Sequence, residues 1–169
     1  MNRFARLGAV IAALTISAQA WTPPVIAATP AASRQSDPKA MVEQVYQRLI
    51  VDQKSRRPSY SPPETLYTPR IRSLIAAARR QAKDEVPCGL DFMIWVNGQD
   101  YAIKHVTVAQ GPSPSPDRTS VTATLTNQGT PEKIVFDFQR IAGRWLIDDA
   151  HSVIGDDQWT FSRLLRCQS

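Results

Sequence analysis

The stretch from Tyr101 to His151 constrains the fold more than any other part of the chain. Four β-branched and aromatic runs, Tyr101 to Ala109, Ser120 to Thr126, Lys133 to Gln139 and Arg144 to His151, follow one another there. Turn material at Gly111 to Arg118, Asn127 to Pro131 and Ala142-Gly143 separates them. Val121, Ala123 and Leu125 alternate with Ser120, Thr122, Thr124 and Thr126, and Ile134, Phe136 and Phe138 alternate with Val135, Asp137 and Gln139. Such strands have one apolar and one wet face. Connections this short leave no room for crossover helices, so consecutive strands pair as an antiparallel meander.

The apolar face needs a cover, and the preceding sequence supplies it. Asp37-Pro38 opens a helix, with Asp37 as cap and Pro38 at the first helical position. Met41, Val42, Val45, Tyr46, Leu49 and Ile50 recur at helical spacing behind it. A proline-rich loop from Lys54 to Tyr67 follows, and Thr68-Pro69 starts a second helix to about Lys83, with Ile71, Leu74, Ile75, Ala78 and Ala82 inward. Asp156 or Asp157 caps a short terminal helix carrying Trp159, Phe161, Leu164 and Leu165. Helices followed by a meander predict an α+β fold, with N-terminal helices packed on a curved antiparallel sheet. Trp145, Ile147, Phe136, Phe138, Val121 and Leu125 are the sheet's expected contribution to the core.

Residues 1–20 read as an export signal. Arg3 and Arg6 give the positive start, Leu7 to Ile16 the apolar stretch, and Ala18-Gln19-Ala20 the small-residue cleavage pattern, with Val25-Ile26-Ala27 a second cleavage point. Residues 21–36, rich in Pro and Ala, read as a flexible tether, and residues 37–169 as a single domain. The expected location is periplasmic or secreted. No cysteine follows the signal to accept a lipid, so no stable membrane anchor is expected.

Removing Arg3 and Arg6 takes the formal charge from +5 to about +3. The basic residues left carry no aromatic interleaving, which argues against nucleic acid as a partner. Cys88 and Cys167 are the only cysteines, and in an oxidising compartment an isolated pair most simply forms a disulfide. Closing so long a loop stabilises a domain by roughly 4 kcal/mol in the chain-entropy picture. His105 and His151 lie at no metal spacing, and no metal site is expected.

The stretches Leu90-Asp91-Phe92 to Asn97-Gly98-Gln99-Asp100-Tyr101 and Gly143-Arg144-Trp145-Leu146-Ile147-Asp148-Asp149 resemble the bacterial exported proteins grouped as domain of unknown function 3828. The resemblance spans roughly residues 37–168. It implies a nuclear transport factor 2-like, cystatin-like cone with a pocket between sheet and helices, and it implies no activity.

Acid–base candidates lie on the last strand. With Trp145 and Ile147 facing inward, a period of two places Asp149 and His151 on the same face and Asp148 on the other. An Asp and a His so spaced can orient and polarise each other as a general base requires. Tyr101, Ile103 and His105 share a face of the first strand, so the expected pocket members are Trp145, Asp149, His151, Tyr101 and His105. Asp91 and Asp100 are expected to hold the Asn97-Gly98 turn by Asx-type hydrogen bonds. Ser36-Asp37-Pro38-Lys39 matches S-x-x-K without its companion motifs and is accounted for as a helix start. No phosphate-cradling glycine loop or nucleophile elbow occurs, so no cofactor is expected. These residues favour a non-catalytic binding or accessory protein of the envelope, perceiving a small ligand or a protein partner, immunity factors included. A small pocket hydrolase or isomerase using Asp149 with His151 is the alternative.

Overall fold

The computed structural model describes residues 37–56, 58–82, 85–155 and 158–167. The expected signal and tether, and the caps Asp156 and Asp157, lie outside the described residues. Helix α1, Pro38–Asp52, begins where its cap signal stands: the Asp37 carboxylate accepts the Lys39 N–H at 3.2 Å. Met41, Val42, Val45, Tyr46 and Leu49 form its buried stripe. The proline-rich loop contains one 3-10 turn, Glu64–Leu66, and leads to α2, Pro69–Ala82, which buries Ile71, Ile75 and Ala78.

Strands β1, Ile103–Gln110, β2, Arg118–Asn127, β3, Thr130–Ile141, and β4, Arg144–Ser152, make one sheet in the order β1-β2-β3-β4, antiparallel throughout. Two-residue turns join β2 to β3 and β3 to β4. Gln128 and Gly129 (φ 50° and 90°) and Ala142 and Gly143 (φ 48° and 79°) are left-handed, the arrangement whose twist suits tight hairpins. Both helices and the short terminal helix α3, Phe161–Leu164, contribute to one core with the sheet face that carries Val121, Ala123, Leu125, Ile134, Phe136, Phe138 and Ile147.

Two bulges break the strand period. On β4, Asp137 pairs with Asp149 but Phe138 pairs with Ile147, which leaves Asp148 as an extra residue. Ile147, Ala150 and Ser152 are buried in consequence, and Asp149 and His151 move to the outer face. They share a face with each other, but not with Trp145 and Ile147 as an unbroken strand would require. On β1, two residues, His105 and Val106, oppose one between the pairs Lys104–Thr126 and Thr107–Thr124. His105 takes a φ of 52° and is exposed, while Val106 and Val108 pack toward the core, so His105 does not continue the face of Ile103.

Among the described residues, the largest fully buried side chain comes from neither helix nor strand. Trp95, 1% exposed, lies 4.3 Å from the Phe136 ring and 5.8 Å from the Tyr46 ring, centroid to centroid. Its Nε1–H donates to Tyr67 Oη at 3.1 Å, and its carbonyl accepts the Tyr46 hydroxyl at 2.7 Å. Trp145, expected in the core, is only half-buried, with the Arg140 guanidinium 5.8 Å above its ring. Trp95→Ala is therefore expected to cost about 3–5 kcal/mol, the range for deleting a buried large aromatic, and Trp145→Ala less than about half as much. Urea denaturation midpoints measure both; equal losses would contradict the difference in burial.

Cys88 and Cys167 form the expected disulfide, Cα atoms 5.3 Å apart across a sequence separation of 79. Beside it Gly89, at φ 69°, approaches α3 so closely that a Cβ would lie 2.9 Å from Leu164 Cβ. The non-reduced protein should show no titratable thiol after denaturation. The Cys88→Ser/Cys167→Ser pair should lose stability on the order of 4 kcal/mol in a denaturation series.

Candidate functional site

A groove of about 610 Å³ runs between α2 and residues 87–94. Buried Tyr67, Ile75, Ile94 and Phe161 form its floor, half-buried Leu90, Phe92 and Met93 one wall, and Ser61, Glu64, Arg79, Asp91 and Gln99 its polar positions. Arg79 Nη2 meets Glu64 Oε1 at 2.5 Å, which bridges α2 to the 3-10 turn. The disulfide and the Gly89 contact with α3 hold the first residues of the wall.

The rest of the wall is held by side chains from the sheet. Met93 N–H donates to the Gly98 carbonyl at 2.9 Å, closing a turn with Asn97 at φ 50°. Asn127 Nδ2–H donates to the carbonyls of Val96 and Asp100 at 2.9 and 3.3 Å, and its Oδ1 accepts the Ala102 N–H at 2.9 Å. Asn97 donates to Glu132 Oε2 at 2.9 Å and accepts the Trp159 indole N–H at 2.7 Å. The Trp159 ring in turn meets Phe92 edge-on at 5.6 Å. The turn expected to rest on Asp91 and Asp100 thus depends on buried Asn127; both aspartates are exposed, and Asp100 contributes its backbone carbonyl.

The five expected pocket residues do not converge. Asp149 Oδ1 accepts the N–H groups of Ala150 and Ser162 at 2.9 and 3.0 Å, so this carboxylate satisfies a backbone donor in the first turn of α3, whose N-cap residue is Thr160. It also lines an outer, polar depression of about 400 Å³ with Arg70, Arg118, Asp137 and Asp148. Tyr101 donates its hydroxyl to Asp52 Oδ2 at 2.6 Å, tying the end of α1 to the sheet. Burial, then the hydrogen bond to Asp52 and its charge, push the Tyr101 phenol up to about 12. The same hydrogen bond heads the causes that hold the Asp52 carboxyl below its usual range. His105 is exposed on its bulge, and Trp145 lines a separate cleft beyond the 3-10 turn.

On the outer face, Asp137 and Asp149 are direct cross-strand partners, an arrangement unfavourable for like charges unless compensated. His151 Nδ1 lies 3.3 Å from Asp137 Oδ2, and Arg70 Nη2 lies 3.6 Å from Asp149 Oδ2. Asp148, the bulge residue, accepts from Thr68 Oγ1 at 3.0 Å and Arg70 Nε at 3.1 Å, and meets Arg118 Nη1 at 3.6 Å. These contacts anchor the start of α2 to β2 and β4. Among the described residues no three His, Cys, Asp or Glu side chains converge as a metal site requires.

No family model matches the chain, and no curated protein matches it. Among solved structures it is similar to a phospholipid-binding protein from Ralstonia solanacearum in complex with a phospholipid, at 15% identity over 80% of this chain and 76% of that one. The TM-score of 0.33 is too low for that likeness to bear on function.

The hydrogen bond to Asp137, then the charges of Asp137 and Asp149, raise the His151 pKa above its ordinary value against the opposing effect of burial. A raised folded-state pKa stabilises the protein fully below the unfolded value of about 6.5, and the gain is lost as pH rises through the folded value. Asp137→Asn should move the His151 titration, followed by NMR, to lower pH and remove that part of the stability present below about pH 6.5. An unmoved titration would show that the pair does not form in solution.

Proposed function

We propose that the chain is an exported, non-catalytic binding protein of the cell envelope, which takes a small apolar-bodied ligand in the groove between α2 and residues 87–94. The groove itself carries the reading: its volume of about 610 Å³ falls within the range of small-molecule sites, roughly 300–1,000 Å³. An apolar floor bordered by polar groups fits a ligand held by burial of its apolar body and oriented by Arg79, Asp91 or Gln99. Because a disulfide, Gly89 and Asn127 fix the wall before a ligand arrives, little ordering entropy opposes binding.

Export is supported by the disulfide, a bond that persists in oxidising compartments, and by the charge and apolar pattern of residues 1–20. Among the described residues no helix is long and apolar enough to cross a membrane. Helices over one face of a four-stranded meander fit the nuclear transport factor 2-like cone that the resemblance to domain of unknown function 3828 implies. The hydrolase or isomerase alternative draws no support from the placement of its residues. Asp149 is occupied by backbone N–H groups, and His151 pairs with Asp137 on the outer face.

The dye 1-anilinonaphthalene-8-sulfonate serves as a probe of the groove. Native protein should enhance its fluorescence, Leu90→Asp and Phe92→Asp should each weaken dye binding at least about tenfold, and Asp149→Asn and His151→Ala should leave it unchanged. Melting curves confirm that each variant is folded at the temperature used. Undiminished dye binding by folded Leu90→Asp and Phe92→Asp would refute the groove as the binding site.

A further inference from the structure

We propose a second binding site, for a small carboxylic acid bearing one ring-sized apolar group, in the cleft beside Trp145. This cleft, about 170 Å³, lies between α1, the 3-10 turn and the start of β4 and shares no lining residue with the groove. Met41, Val45, Leu66 and Trp145 provide apolar surface, and Arg48 and Arg144 provide charge. A dry apolar cavity of about 150 Å³ accommodates benzene, and this cleft, open to solvent and partly polar, has room for a body no larger than one aromatic ring or a short branched chain.

The arginines define the other end of the ligand. Arg48, which lines the cleft, lies 5.9 Å from the Tyr60 ring centroid; Arg140, outside the lining, lies 5.8 Å from that of Trp145 and donates its Nε–H to the Gly143 carbonyl at 3.4 Å. A guanidinium held over a ring in this way keeps N–H groups free for a planar, two-oxygen acceptor. The ordinary partner of Arg48 is Asp52, one turn along α1. Its Oδ2 is instead committed to the Tyr101 hydroxyl at 2.6 Å and to the N–H groups of Ser59 and Tyr60 at 2.8 and 2.9 Å. Among the described residues no carboxylate oxygen lies within 4.0 Å of Arg48, Arg140 or Arg144, whereas Arg70, Arg79 and Arg118 each have an acidic partner. Arg48 and Arg144 thus place positive charge without a paired carboxylate beside a cleft whose lining is about equally polar and apolar, which complements an anionic head on a small apolar body.

Isothermal titration of the purified protein with phenylacetate, and with the neutral phenylacetamide, tests the site. One phenylacetate should bind per chain, and phenylacetamide should bind at least about tenfold more weakly. Arg48→Gln and Arg144→Gln should each weaken phenylacetate at least about tenfold with melting temperature preserved, and Leu90→Asp, in the other groove, should leave it unchanged. Equal affinities for acid and amide would overturn the proposal, as would folded arginine variants of unaltered affinity or no binding up to about 10 mM phenylacetate. Because the amide comparison needs no variant, it decides the matter even where a substitution unfolds the chain.

Discussion

The indole of Trp95 is the interaction on which the two layers depend. It is carried on a turn between α2 and β1, yet it reaches the centre of the core, between Tyr46 of α1, Tyr67 at the entry to α2 and Phe136 of β3. A tryptophan so deeply buried needs a partner for its N–H, and the Tyr67 hydroxyl provides one. Its backbone carbonyl meets the Tyr46 hydroxyl at the same place, and burial raises both phenols above their ordinary pKa. One side chain thereby fixes both helices and the middle of the sheet relative to one another.

Pulling a turn into the core leaves its backbone polar groups in need of partners, because unpaired donors and acceptors there are costly. Asn127 meets that need from the end of β2 with three contacts, and Asn97, Glu132 and Trp159 extend the network to the segment before α3. The disulfide holds the same region from its other side. The groove wall at residues 87–94 is therefore a non-periodic segment made rigid from without, a combination suited to a preformed binding surface.

The bulge at Asp148 organises the opposite side of the sheet. The extra residue moves Asp149 and His151 outward and sets Asp137 against Asp149, and His151 and Arg70 supply the compensating charges. Asp149 also gains access to the N–H of Ser162 and satisfies that donor in the first turn of α3. Two residues that resemble an acid–base pair in sequence are accounted for by these structural tasks, without recourse to a shared cavity with Trp145.

The sequence alone determined the two long helices, the four strands, their antiparallel order and the disulfide. Local rules govern each: a cap before a proline, an unbroken period of two in β2 and β3, short turns, and an isolated cysteine pair. The α+β class follows from those elements. What tertiary structure decided is which side chains meet. The bulges on β1 and β4 are invisible in composition because the residues that bulge, His105 and Asp148, differ little in pattern from residues that would continue the strand. The roles of Trp95 and Asn127, and the groove that depends on them, arise from contacts between positions about 30 to 50 residues apart. Only packing against the helices fixes those contacts, since no local period or motif links a turn to the strand and helix that enclose it.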